Sequence, residues 1–160
     1  MGTRTQAIMK YWPVFDFAVA WILAVTFLLA GVPHWRNSYY FLGSVYAYQL
    51  TDAGTGQIVA MSLPLIQLGL ASCLLTRLFY DAAHLSSLFL LCTFAVVQTA
   101  TFLRGLDISC GCFGPGSTES IGWTSLSIVY GLLLLSCIRN AVAFLRQTAF
   151  REVVILTIDS

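Results

Sequence analysis

The chain has 160 residues, of which 58% are hydrophobic and only 9% charged, and its formal net charge is +1. Soluble domains carry about 25% charged residues, so there are too few here to coat a water-facing surface. The near-neutral balance leaves no basic footprint for nucleic acid, and the length suits a single domain over 1–160.

A helix that crosses a bilayer needs about 20 mostly apolar residues. Four segments qualify, at about 13–32, 58–75, 85–103 and 121–138. The stretches between them are polar or contain Gly and Pro, and a hydrocarbon interior rejects them because unpaired backbone groups are costly there. The expected fold is an all-α membrane protein, a four-transmembrane-helix bundle forming one integral membrane domain. The first segment follows Lys10, as a secretory leader would. It is longer than a leader's apolar core and no A-x-A site follows, so it reads as a retained helix. Asp16 falls near one end of it, where water is within reach. In the second segment Pro64 needs neighbouring helices to repair its lost backbone bond, and Gln67 is expected to face the bundle and bond across helices.

Lys and Arg near the span ends set the orientation. The N-terminal stretch, the turn between the second and third spans and the C-terminal segment carry Arg4, Lys10, Arg77, Arg139, Arg146 and Arg151, whereas the other two loops carry only Arg36 and Arg104. Six against two predicts cytoplasmic N- and C-termini in a bacterial inner membrane, with both long loops periplasmic. The first of these loops, about 33–57, is rich in aromatics, and Tyr39, Leu42, Val45, Tyr46 and Leu50 recur at helical spacing. That pattern predicts an interfacial amphipathic helix with Tyr and Trp at headgroup depth, serving as an aromatic belt or as a lid over the bundle mouth. The segment 141–160 is expected to be a tail, whose apolar run from Val153 to Leu156 needs cover from the membrane or a partner chain.

Five cysteines are present. Cys73, Cys92 and Cys137 fall within spans and read as small buried hydrophobes. Cys110 and Cys112 fall in the loop between the third and fourth spans, in the stretch Arg104-Gly105-Leu106-Asp107-Ile108-Ser109-Cys110-Gly111-Cys112-Phe113-Gly114-Pro115-Gly116. Two residues apart, their Cα atoms lie within roughly 7 Å of each other, and a bend at Gly111 brings them into the disulfide window. A ring that small is strained, and strained, exposed disulfides are the labile, oxidising ones. Arg104 nearby favours the thiolate. Spacing alone leaves open a redox-active dithiol and a static staple. A metal half-site is the weaker reading, because two thiolates fall short of the usual four ligands even with His34 in the other loop.

A span ending in Arg104-Gly105, then Cys110-Gly111-Cys112-Phe113-Gly114, then a fourth span, resembles the methylamine-utilisation MauE family among the broader DoxX-like four-helix membrane proteins. The resemblance runs from about Phe15 to Leu145, and Gly31 before the aromatic loop and Pro64 in the second span also fit it. It implies a role in periplasmic thiol–disulfide handling beside a thioredoxin-like partner or a disulfide-rich client, with Cys110 and Cys112 as the redox pair. The chain departs from the family's pattern at His34, where relatives often carry lysine, at Gln67, where they often carry an acid, and near Ser127, where a basic residue is expected.

The resulting expectation is a periplasm-facing membrane thiol–disulfide redox or maturation protein. Cys110 and Cys112 exchange with the client, and Arg104 stabilises the thiolate. No metal or cofactor is evident, and a quinone enters only by analogy with other four-helix thiol oxidoreductases. The alternative is a non-catalytic accessory subunit of a larger membrane complex, which the apolar tail, the aromatic loop and the missing charges suggest. The spans hold few ionisable groups, which argues against a transporter.

Overall fold

Long runs of Leu, Val, Ala and Phe satisfy every backbone group inside a helix, the arrangement that a bilayer permits. The computed structural model describes residues 3–48, 52–105 and 122–158. They form five helices: α1 (Thr3–Arg36), α2 (Ser38–Ala47), α3 (Ala53–Thr76), α4 (Tyr80–Leu103) and α5 (Trp123–Ile158). Among the described residues four helices are long and apolar enough to cross a membrane, over Trp12–Arg36, Gly54–Thr76, Tyr80–Leu103 and Trp123–Thr148. The protein is an all-helical, multi-pass membrane protein.

Three boundaries differ from those that hydropathy suggests. α1 runs through Pro33, whose carbonyl accepts the Asn37 N–H at 3.0 Å, so His34, Trp35 and Arg36 are helical rather than part of a loop. The α3–α4 turn takes only residues 77–79, because Arg77 (φ 58°) and Phe79 (φ 49°) both adopt the left-handed conformation. Tyr80, Asp81 and His84 therefore belong to the first two turns of α4. The segment expected as a tail from residue 141 instead continues α5 to Ile158. At 1.5 Å per residue α5 is about 54 Å long, well beyond a hydrocarbon core of about 30 Å.

α2 forms where the aromatic repeat predicted a helix, and it packs on the bundle. Phe41 and Val45 pack on Ala60 of α3, while Tyr39 stands exposed. α1 packs most extensively on α3 and α4 on α5. Contacts between α3 and α4 and between α1 and α5 close the ring, with α2 laid against α3. The core between the spans contains Val19, Leu23, Phe27, Leu74, Leu90 and Leu91, with Ala24, Ala71 and Ala83 between them. Small residues matter here because association in lipid rests on close packing and polar contacts rather than on expelling water. Gly31 is such a point: a Cβ there would meet Leu68 Cδ2 at 3.2 Å and Gln67 Cβ at 3.3 Å.

The reading of Cys73, Cys92 and Cys137 as buried is corrected. All three are free thiols, Cys73 partly buried and the other two exposed on the helix surfaces. The outward faces of a membrane bundle are apolar too, so a small hydrophobe suits either side of the helix.

The bundle has two distinct ends. The start of α1, the end of α5 and the α3–α4 turn share one, the termini end, where Arg146 lies 5.5 Å from the Trp12 ring. The other, the connection end, carries α2 and the segment joining α4 to α5.

Candidate functional site

At the connection end α4 closes at Leu103. The N–H of Arg104 donates to the Ala100 carbonyl and that of Gly105 to the Phe102 carbonyl, each at 3.1 Å, and Gly105 (φ 65°) takes the left-handed position that ends a helix without strain. Arg104 is exposed there. Cys110 and Cys112 lie outside the described residues, on the connection that leaves Gly105 and re-enters the bundle at Trp123.

The spans bury several polar side chains: His34 in the last turn of α1, Gln98 and Thr101 in the last two turns of α4, and Gln67 near the middle of α3 are all essentially inaccessible. His34 Nδ1 pairs with Gln67 Oε1 at 3.4 Å, and the imidazole stacks on Phe41 of α2 with centroids 3.9 Å apart. The pairing takes the tautomer with its proton on Nδ1. Side chains tilt toward the N-terminus of their helix. In the antiparallel pair His34 on α1 therefore leans into the bundle and Gln67 on α3 leans out, closing the axial gap between them. The sequence reading of Gln67 as a cross-helix bond holds. On the α4–α5 side, Ser125 Oγ donates to Gln98 Oε1 at 3.2 Å.

Toward the same end a half-open groove of about 440 Å³ lies between α4 and α5, lined by Thr99, Phe102, Trp123, Leu126, Ser127 and Tyr130 among others. Thr99 Oγ1 donates to the Ala95 carbonyl at 2.6 Å, so the Tyr130 hydroxyl 2.9 Å away donates to Thr99.

The termini end carries a second polar cluster, one that sequence reasoning missed. Arg139 of α5 is buried, with its side chain 4% exposed. Its Nε donates to Asp16 Oδ1 of α1 at 2.7 Å, and its Nη2 donates to Asp81 Oδ1 of α4 at 3.0 Å. The Tyr80 hydroxyl donates to Asp16 Oδ2 at 2.8 Å, and the guanidiniums of Arg139 and Arg77 lie 5.1 and 5.6 Å from the Tyr80 ring centroid. Asp16 is thus not a lone solvated carboxylate but the acceptor for two helices. The signal in the sequence is weak, consisting of three ionisable residues, each set at the same end of an apolar run.

The profile of the family described as "Methylamine utilisation protein MauE" matches residues 12–146. The chain belongs to the MauE family. One relative, "Methylamine utilization protein MauE" of Paracoccus denitrificans, is 27% identical over 132 residues, covering 82% of this chain and 69% of the relative. No solved structure matches the chain. Both polar clusters and the Cys110–Cys112 pair fall inside the region matched to MauE, and the last turns of α5 fall outside it.

Proposed function

We propose that this MauE-family protein is an accessory membrane protein of a methylamine-utilisation type of system, exchanging disulfides with a client on the periplasmic side through Cys110 and Cys112. The observation that carries this reading is the burial of polar side chains toward the end of the bundle from which the cysteine-bearing connection springs: His34 in the last turn of α1, paired with Gln67 of α3, and Gln98 and Thr101 in the last two turns of α4. Polar side chains inside membrane spans are expensive and mark working sites. The cysteine pair supplies the chemistry, and Arg104, exposed at the start of the connection, biases it toward thiolate. The termini then face the cytoplasm. Setting aside the paired and buried Arg139, five basic residues remain at that end against Arg36 and Arg104 at the other.

In the direction that oxidises a client, a client thiolate attacks one sulfur of the Cys110–Cys112 disulfide. That S–S bond breaks and the other cysteine leaves as a thiolate. A second client thiolate then attacks the mixed disulfide, which forms the client disulfide and leaves both cysteines reduced. Two electrons pass from client to pair. Regeneration of the pair takes a two-electron acceptor; a quinone enters by analogy alone, and no residue is assigned to it.

A second reading, a non-catalytic subunit of a larger membrane complex, is favoured by the continuation of α5 past Thr148 as helix through the apolar run Val153–Leu156. Replacing both cysteines (Cys110→Ser with Cys112→Ser) separates the two. The exchange reading predicts loss of client disulfides with the chain still inserted, and unchanged client oxidation overturns it.

A further inference from the structure

His84, in the second turn of α4, is fully buried, and neither of its ring nitrogens has a hydrogen-bond partner among the described residues. A neutral imidazole offers one donor and one acceptor, and burying both unpaired is costly. The surroundings are not apolar. The His84 and Tyr80 rings meet nearly at right angles with centroids 4.7 Å apart, and the Tyr80 hydroxyl is bound to Asp16. The same Tyr80 ring has the Arg139 guanidinium 5.1 Å from its centroid, bonded to Asp16 of α1 and Asp81 of α4, and the Arg77 guanidinium of the α3–α4 turn 5.6 Å away. Val19, Leu23, Leu90 and Leu91 belong to the apolar core into which Ala83, the residue before His84, also packs. Toward the termini end the charged cluster opens at Asp81, whose side chain is 67% exposed.

A buried polar ring beside a charged cluster that reaches the surface at one end is the setting in which proteins hold ordered internal water, each molecule bonded to two to four polar groups. We propose that the termini end of the bundle contains an internal water site. Water there bonds the His84 ring and joins it to the Asp16–Tyr80–Arg139 cluster, so that His84 exchanges protons with the membrane face where the termini lie. A metal ion fits poorly, since no group of three or more His, Cys, Asp or Glu among the described residues is arranged to hold one. The inference is independent of the cysteine chemistry proposed above and stands or falls separately.

The test uses the full chain with 15N-labelled histidine in lipid nanodiscs. The chain has two histidines, so either His34→Gln or His84→Gln, whichever folds, assigns the two rings. The expected result is magnetisation transfer between water and the His84 ring proton, and exchange of that proton into D2O within minutes. A ring proton without water contact and protected for hours overturns the proposal, as does a His84 signal that responds to sodium or potassium without any water contact. A second measurement compares melting temperatures. His84→Leu lowers the melting temperature by a few degrees if the ring and its water complete the cluster; a rise means that the native site is dry, and overturns the proposal.

Discussion

Arg139 and Asp16 are 123 positions apart in the chain and meet through a 2.7 Å bond between Nε and Oδ1. One side chain of α5 thereby ties the first span to the last, and through Asp81 it also ties in the start of α4. In lipid, where helices gain little from burying apolar surface against one another, such a contact fixes which helices are neighbours and in what register.

The two arms of this contact differ in burial, and their energetics differ accordingly. Asp16 is 15% exposed and Asp81 67%. Removing the partner of a buried charge costs about 3–5 kcal/mol, whereas an exposed pair contributes roughly 0–1 kcal/mol. Arg139→Gln should therefore lower stability by about 3 kcal/mol and Asp81→Asn by less than about 1 kcal/mol. The apolar double variant Arg139→Met with Asp16→Leu should recover most of the loss. Reversible unfolding in mixed micelles measures all three.

Gly31 and Gly131 make a matched pair. A Cβ at Gly31 would press on Leu68 and Gln67, while one at Gly131 meets nothing within 4 Å. Gly31→Ala should destabilise by about 1 kcal/mol, the lower end of overpacking costs, because it wedges α1 from α3 and loosens the His34–Gln67 bond. Gly131→Ala should be neutral or stabilising by up to about 1 kcal/mol through helix propensity. The same unfolding assay reads both, and the opposite order would contradict the close approach of α1 and α3.

The α3–α4 turn holds two residues other than glycine in the left-handed conformation, at a cost of roughly 1–2 kcal/mol each. Phe79 is exposed, so Phe79→Gly removes that cost with little packing lost and should stabilise by about 1 kcal/mol. Arg77→Gly should gain less, because Arg77 also stands over the Phe17 and Tyr80 rings. Thermal unfolding of the two variants side by side checks the ranking.

Hydropathy was enough to read the four spans, because long apolar runs have few alternatives in a bilayer. Gln67 was legible for the same reason: a lone amide in a span needs a partner. The α3–α4 turn was not legible, since it contains no glycine or asparagine and Arg77 and Phe79 give no warning of left-handed geometry. Reading a longer turn there left Tyr80, Asp81 and His84 outside the third span and hid the cluster. Arg139 looked like one more basic flank, because its partners Asp16 and Asp81 lie 123 and 58 positions away. The helix at α2 was legible from the spacing of Tyr39, Leu42, Val45 and Tyr46, but its packing on Ala60 through Phe41 and Val45 was not, because the partner surface lies on another span. Cys110 and Cys112 were read from spacing and remain a reading of the sequence.

Labelling of intact cells, mildly reduced and then exposed to a membrane-impermeant maleimide, tests the exchange chemistry most directly. Two added masses per chain are predicted, both lost in the Cys110→Ser, Cys112→Ser variant and both absent when reduction is omitted and the pair is oxidised. If neither thiol reacts until the cells are broken open, the pair faces the cytoplasm and the proposed role in periplasmic disulfide exchange is wrong.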